Sequence, residues 1–280
     1  MGQAETGQVY RGDLDKLLRK IGEERGLDLG QYRRQYLERR LATRLRALGL
    51  HTYRQYAQRL DLDPGEYASL LDTLTVNVTD FFRDPTVYQR FRHEIVPALL
   101  ETKLASRHRM IRAWSAGCAT GEEPYSITMS VLDAIERSGD SFLLSVYGTD
   151  LDPGVLEAAR RAEYRLEALR HVPPVYRAKY VETLGDRFRL MPVVTDHVRF
   201  SLLNLFEDRP INVVDVIFCR NVFIYFTRQQ QERVLDRFWT SLSRGGYLVL
   251  GRSEKLANSF TGRFELVSGK ERIYRKPGGP

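Results

Sequence analysis

The sequence predicts an α/β protein: an all-helical N-terminal domain, then a nucleotide-type (Rossmann-like) domain carrying a small inserted antiparallel β subdomain. Three observations carry that expectation. Residues 10–105 place apolar side chains at three- and four-residue spacing, the helical period. From residue 108 on, apolar runs alternate with amphipathic helical patterns, the signature of a mostly parallel sheet. The first of these units, at about 109–137, is a strand, a glycine-bearing turn and a helix.

In the first part, Leu14, Leu17, Leu18 and Ile21 mark one helix. Leu37, Leu41, Leu45 and Leu48 form the apolar stripe of a second, which Gly49 ends. A third runs from Tyr53 to Leu60, before the Asp63-Pro64-Gly65 break, and a fourth from Glu66 to Leu74. This domain is placed at 1–75. A linker and helix, 76–107, follow, with Asp84-Pro85 as cap and first residue of the helix and Pro97 bending or interrupting it.

The α/β domain is placed at 108–280. A second strand, Phe142 to Tyr147, leads to Asp150, and Asp152 caps a helix opened by Pro153. Residues 171–200 break the rhythm and read as the insertion, with a short helix near 174–181 and strands at Phe188–Pro192 and His197–Leu202. Val213 to Phe218 is a buried-type strand. A helix from Arg228 to Leu242, a Gly245-Gly246 turn, a strand Tyr247–Leu250 and an antiparallel pair at 263–267 and 271–275 complete the domain.

Bulk properties narrow the function. With 42% hydrophobic residues in 280, and mean hydropathy of −0.39, a soluble globular protein is expected. No apolar run is long enough to cross a membrane, and Met1 to Lys16 lacks the apolar core of a signal peptide. Cys118 and Cys219 make neither a disulfide framework nor a metal site, so reduced thiols and a cytoplasmic location are expected, with no metal. A net charge of +7 and a pI near 9.4 suit nucleic acid, a membrane surface or an acidic protein. Six arginines (33, 34, 39, 40, 44, 46) stand against one acid, Glu38, between residues 31 and 50. Arg39 and Arg46 point away from the leucine stripe, whereas Arg33, Arg40 and Arg44 flank it. A solvated face is the plain alternative, but such faces normally mix signs.

The turn Ser115-Ala-Gly-Cys-Ala-Thr-Gly-Glu-Glu123 is the richest stretch. Gly117 and Gly121 let the backbone approach a ligand, and the helix start offers unpaired N–H groups. No Lys-Ser/Thr follows the second glycine, so it is not a phosphate loop. Glu122 and Glu123 suit the positive end of the helix dipole but would repel a pyrophosphate. The ligand should therefore carry a cationic group, and S-adenosylmethionine, with its ammonium and sulfonium, fits. Asp150, at the end of the second strand, can accept both ribose hydroxyls, or can be a plain turn residue. Asn204-Leu205 and Cys219-Arg220-Asn221 lie just beyond later strands, where open sheets bind ligands. Tyr225 reads equally as a core aromatic or a site residue.

Asn77-x-Thr79-x-Phe81-Phe82-Arg83, the loop from Ser115 to Ile127, Phe218-Cys-Arg-Asn-Val-Phe-Ile-Tyr-Phe226 and Gly251-Arg-Ser-Glu254 together closely resemble the bacterial chemotaxis receptor methyltransferases, the CheR family. The resemblance spans about residues 10–275. It implies an S-adenosylmethionine-dependent protein-glutamate O-methyltransferase whose helical domain recognises substrate. The substrate would be glutamates on the cytoplasmic helical region of methyl-accepting chemotaxis receptors, and the products glutamyl methyl esters and S-adenosylhomocysteine. Motif by motif, Asn77, Thr79 and Arg83 would contact the cofactor from the linker. One of the Glu122–Glu123 pair, Glu123 by preference, would hold the methionine amino group, and Asp150 the ribose. Asn204-Leu205 and Arg220-Asn221 would frame the adenine and the methionine end. Arg83 and Tyr225 would lie nearest the methyl group, and Arg39, Arg40, Arg44 and Arg46 would dock the receptor.

Two stretches depart from the family pattern. The Tyr180–Phe200 stretch resembles a shorter hairpin than that of members that grip a receptor's C-terminal pentapeptide, so independence from that tether is expected. Arg252 stands where His is common in the family. A monomer is expected, with no nucleic-acid partner and no membrane insertion. The rival readings are a nucleic-acid methyltransferase, which lacks the Asn/Asp-Pro-Pro-Tyr type motif here, and a non-catalytic cofactor-sensing adaptor, which would need a damaged catalytic set.

Overall fold

The computed structural model describes residues 2–25, 29–74 and 79–278. The chain divides into two compact units, Met1–Val76 with Tyr225–Gln230, and Asn77–Ile224 with Gln231–Pro280.

The first unit holds helices α1 (Gly2–Arg25), α2 (Arg34–Ala47), α3 (Tyr53–Leu62) and α4 (Glu66–Leu74), as the apolar periodicity predicts. Leu14, Leu17, Ile21, Leu37, Leu41, Tyr56, Leu60 and Leu70 are its buried core. Gly49 follows α2 at φ 66°, a left-handed conformation suited to glycine. Thr52 begins α3 with a capping box: its side chain accepts from the Gln55 N–H, while Gln55 Oε1 accepts from the Thr52 N–H.

The arginines of α2 separate by role. Arg44 does not face outward as a docking residue: its Nε and Nη2 lie 2.8 and 2.6 Å from the Glu66 carboxylate, which also accepts the Tyr56 hydroxyl at 2.8 Å. Glu66 is buried, so it needs a fixed cation, and Arg44 supplies it. Arg40 lies over the Tyr36 ring at 5.6 Å. Arg34 pairs with Asp15 and Glu38. Arg39 and Arg46 are exposed. Tyr225 also belongs to this unit, half-buried with its ring 4.6 Å from that of Tyr36. Its carbonyl accepts the Arg33 N–H at 2.9 Å.

The second unit opens with α5 (Pro85–Arg90), a π-helical turn (Phe91–Ile95) and α6 (Val96–Ala105). The π turn ends at Ile95, two residues before Pro97, and so accommodates its missing N–H. Then come β1 (Met110–Ala116), α7 (Glu122–Ser138), β2 (Leu143–Asp150), α8 (Pro153–Arg161), β3 (Glu163–Arg165), α9 (Pro174–Tyr180), β4 (Val181–Leu184), β5 (Arg187–Leu190), α10 (Pro192–Thr195) and β6 (Val198–Leu202). β7 (Val214–Cys219), α11 (Arg228–Ser241), β8 (Leu242–Leu250), β9 (Glu265–Ser268) and β10 (Ile273–Arg275) complete it, the first turn of α11 being counted with the helical unit.

Seven strands form one sheet in the order β6-β2-β1-β7-β8-β10-β9. The first five run parallel, and β10 pairs antiparallel with both β8 and β9. Strand order reverses between β1 and β7, which puts a ligand crevice at their carboxyl ends. Three expectations need correction. The strand read at His197–Leu202 pairs parallel with β2 and belongs to this sheet. The inserted antiparallel sheet is instead β3-β5-β4, beginning at Glu163 rather than 171. The Gly245-Gly246 pair makes an irregularity inside β8, where a side chain on Gly246 would meet the Asp215 carbonyl at 3.0 Å.

The Arg44–Glu66–Tyr56 network yields a stability prediction. Glu66→Ala leaves a largely buried guanidinium and a buried hydroxyl without their acceptor. It should destabilise the helical unit by about 3 kcal/mol, seen as a lower midpoint in chemical denaturation, whereas Arg39→Ala should leave the midpoint unchanged.

Candidate functional site

The parallel register sets the ends of three strands side by side, with Ala116 opposite Thr149 and Ser115 opposite Phe218. From Ala116 the chain turns tightly enough that the Gly117 and Cys118 N–H groups both donate to the Thr149 carbonyl, at 2.8 and 3.0 Å. Gly117 sits at φ 82°, and a Cβ there would come within 2.6 Å of a Val222 methyl. Gly121 sits at φ 94° against Ala159 and Phe200. Both glycines are therefore required by backbone shape and by neighbours at once.

Asp150 builds this loop as well as lining it. Its carboxylate accepts the N–H groups of Ala119 at 2.9 Å, Leu151 at 2.8 Å and Asp152 at 3.1 Å. Burial pushes its carboxyl above the usual range, and those three donors pull it back. Asp152 caps α8 through its Oδ1, as its position before Pro153 predicts.

The two glutamates differ. Glu122 takes the Thr120 hydroxyl, at 2.7 and 3.0 Å to its two oxygens. Burial pushes its carboxyl up to about 7. Glu123 accepts the Ser115 hydroxyl at 2.8 Å and lies 3.5 Å from Arg220 Nη1. Burial raises its carboxyl too, while Arg220, the Ser115 hydroxyl and the charge of Arg83 oppose the rise.

Arg83 stands on a turn that is unusual for its residues. Phe82 and Asp84 on either side adopt φ 52° and 60°, left-handed values that cost non-glycine residues of the order of 1–3 kcal/mol each. The turn is held by the Phe82 N–H, which donates to Ser126 on α7 at 2.9 Å, and by an Asp80–Arg170 ion pair. Asp84 precedes Pro85 as expected, yet its side chain does not cap α5. It pairs instead with Arg220, and at 3.6 Å with Arg252. Thr79 begins the described part of this segment and is half-buried. Asn77 lies outside the described residues.

Arg220 ends β7's run into the crevice, its side chain 1% exposed. Asn221 follows at φ 62°, and its N–H donates to Glu254 at 3.0 Å. The Gly251 and Ile224 N–H groups reach the same carboxylate at 2.6 and 3.3 Å. Asn204 turns its Oδ1 to the Phe206 N–H at 3.0 Å, and Leu205 beside it is half-buried. Glu123, Asp150 and Arg220–Asn221 thus gather at the crevice, and Arg83 is near enough for its charge to act on Glu123. Tyr225 packs within the helical unit. Four residues escape the sequence reading: Asp84 in its ion-pairing role, Ser115, Ser126 and Glu254. Glu254 lies inside a quoted motif, but nothing local announces that its carboxylate reaches back to residue 221.

The residues fit S-adenosylmethionine. Arg220 Nε and Asn221 Oδ1 are buried without a hydrogen-bond partner, so the crevice offers one donor and one acceptor that a ligand can satisfy. Carboxylates at the crevice, Glu123 and Asp150 among them, suit a ligand with an ammonium, a sulfonium and a ribose. Both cysteines are free and buried, and burial raises both thiols, which keeps them protonated and unreactive.

Comparison with known proteins agrees. The family described as "CheR methyltransferase, SAM binding domain" matches residues 77–273, and "CheR methyltransferase, all-alpha domain" matches residues 12–75. A protein named chemotaxis protein methyltransferase from Klebsiella aerogenes is 36% identical, over 89% of this chain and 86% of its own. Proteins of the same name from Salmonella typhimurium and Borreliella burgdorferi are 35% and 30% identical, over 87% and 89% of this chain and 83% and 89% of theirs. The chain belongs to the CheR methyltransferase family and is an S-adenosylmethionine-dependent methyltransferase. No described helix is long and apolar enough to cross a membrane.

Glu122 gives this site a pH signature. Folded, its carboxyl keeps a proton up to about pH 7, whereas the ordinary carboxyl releases it near 4.5. The associated stability is complete below about pH 4.5 and is lost as pH rises through 7. Compared with Glu122→Gln, which cannot titrate, the protein without ligand should lose about 3 kcal/mol over that window. Urea unfolding at a series of pH values checks this; superimposable pH profiles for the two proteins would count against it.

Proposed function

We propose that this methyltransferase esterifies glutamate side chains on the cytoplasmic helical region of chemoreceptors, in chemotactic adaptation. The observation that carries the reading is the crevice itself: an acid-rich pocket at the switch point, with the Arg83 turn docked on α7 beside it. The relatives named chemotaxis protein methyltransferase support the choice of system.

Bound S-adenosylmethionine supplies a methyl group made electrophilic by its sulfonium. The attacking group is a carboxylate, already ionised at neutral pH with a reference pKa of about 4.3, so the protein needs no general base. None of the matched motifs contains a histidine. Rate then rests on orientation and on excluding water. Arg83 holds the incoming carboxylate by charge-assisted hydrogen bonds, and the Tyr225 hydroxyl orients it. Glu123 takes the cofactor's ammonium, Asp150 its ribose, Asn204-Leu205 the adenine, Arg220-Asn221 the methionine end, with Asn77 and Thr79 completing the hold from the linker.

The outward arginines Arg39 and Arg46, assisted by Arg40, dock the acidic methylation region of the receptor. Arg44 is spoken for by Glu66 and is left out of this surface. The β4–β5 hairpin closes with only Gly185 and Asp186 between its strands, and such a small insertion supports action without a receptor pentapeptide. The protein acts in the cytoplasm, as a monomer.

Methyl transfer to receptor membranes should give base-labile label, because esters hydrolyse in base and N-methyl groups do not. Stable label would refute the glutamate assignment. Arg83→Ala should abolish transfer while S-adenosylhomocysteine still binds; normal turnover would end its catalytic role. Tyr225→Phe keeps the ring on Tyr36 and removes only the hydroxyl. It should lower kcat, and an unchanged kcat would leave Tyr225 a core aromatic. Reversing charge at Arg39 and Arg46 should raise KM for receptor at low salt, with wild-type and variant converging at high salt. A change in cofactor affinity instead would place those arginines elsewhere.

A further inference from the structure

Arg220 is a buried cation between two carboxylates, and the two are not equal partners. Arg220 makes its close pair with Asp84, through Nη2, and keeps Glu123 at 3.5 Å through Nη1. Asp84 is an odd place for that duty. It precedes a helix opened by proline, where an aspartate normally accepts the N–H groups of the first turn, a cap worth about 1 kcal/mol. Here the side chain gives no cap hydrogen bond, and the backbone takes φ 60°. The residue is held in a costly conformation that presents its carboxylate to Arg220.

We propose that Asp84 is a positioning residue: it occupies Arg220 so that the Glu123 carboxylate stays available to the ammonium of the cofactor. The inference rests on the reading of Glu123 as the ammonium's partner. Without Asp84, the Arg220 guanidinium is a cation with 1% of its side chain exposed, and among the described residues Glu123 is its remaining ion-pair partner. A buried guanidinium is driven to pair. It closes on Glu123, and the carboxylate that should meet the ammonium is neutralised from the protein side. Arg252, its side chain half-exposed, meets the other Asp84 oxygen at 3.6 Å.

Calorimetric binding to the full chain tests this with two probes. S-adenosylhomocysteine carries the ammonium, and 5′-methylthioadenosine shares the adenosine but lacks the amino-acid portion. Asp84→Asn should weaken S-adenosylhomocysteine about tenfold, which is 1.4 kcal/mol, and leave methylthioadenosine unchanged. Asp84→Glu should restore the affinity. On a Glu123→Gln background, Asp84→Asn should have no further effect, because the group it protects is gone. Equal losses for both probes would make Asp84 a merely structural residue and overturn the proposal. So would unchanged or tighter S-adenosylhomocysteine binding in Asp84→Asn when Glu123→Gln is weakened, or an undiminished loss in the double variant. Wild-type affinity in Glu123→Gln alone would instead show that Glu123 is not the ammonium's partner, and both readings would fall.

Discussion

Burying a guanidinium at the end of a central strand costs several kcal/mol unless carboxylates accept its charge. Arg220 meets that condition with Asp84 from the turn before α5 and Glu123 from the first turn of α7. Three segments far apart in sequence are thereby tied to one charge. The switch point of the sheet, the start of the helix after the glycine loop and the turn that carries Arg83 have to assemble together. This explains why Phe82 and Asp84 tolerate left-handed backbone: their side chains are fixed by burial and by the ion pair, and the surroundings overdetermine the turn.

Two further carboxylates act on backbone rather than on charge. Asp150 collects three N–H groups around the glycine loop, and Glu254 collects three around the Asn221 turn. Each satisfies donors that a buried irregular loop would otherwise leave unpaired, at a cost of about 1–3 kcal/mol per group. The acids of the crevice therefore divide. Asp150 and Glu254 shape the loops, whereas Glu122 takes the Thr120 hydroxyl and Glu123 the Ser115 hydroxyl, with Arg220 beside it. Any role of Asp150 toward a ribose is superimposed on a structural one, so its replacement disturbs loop and ligand together.

The same division runs through α2. Its arginines look alike in sequence, but the bundle behind them does not treat them alike. Arg44 faces a buried glutamate and becomes part of the core, Arg40 lies along an aromatic ring, and Arg39 and Arg46 remain in solvent. A one-sign surface is thus smaller than the six-arginine count suggests, and its field is concentrated on the face opposite the leucine stripe.

By itself, the sequence determined the four helices of the first unit, the strand–loop–helix that opens the second, and the places along the chain where Glu123, Asp150, Asn204 and Asn221 stand. Those follow from local rules: apolar period, glycine at positive φ, and the alternation of strand and helix. It also carried motifs long enough to mark the family. Only the tertiary structure decided that Asp84 serves Arg220 rather than its own helix, that Arg44 belongs to Glu66, that Glu254 reaches Asn221, and that β6 joins the main sheet. Each of these is a pairing between residues distant in the chain. A buried charge or an unpaired N–H selects its partner by proximity in space, and the local pattern of a sequence holds no record of that distance.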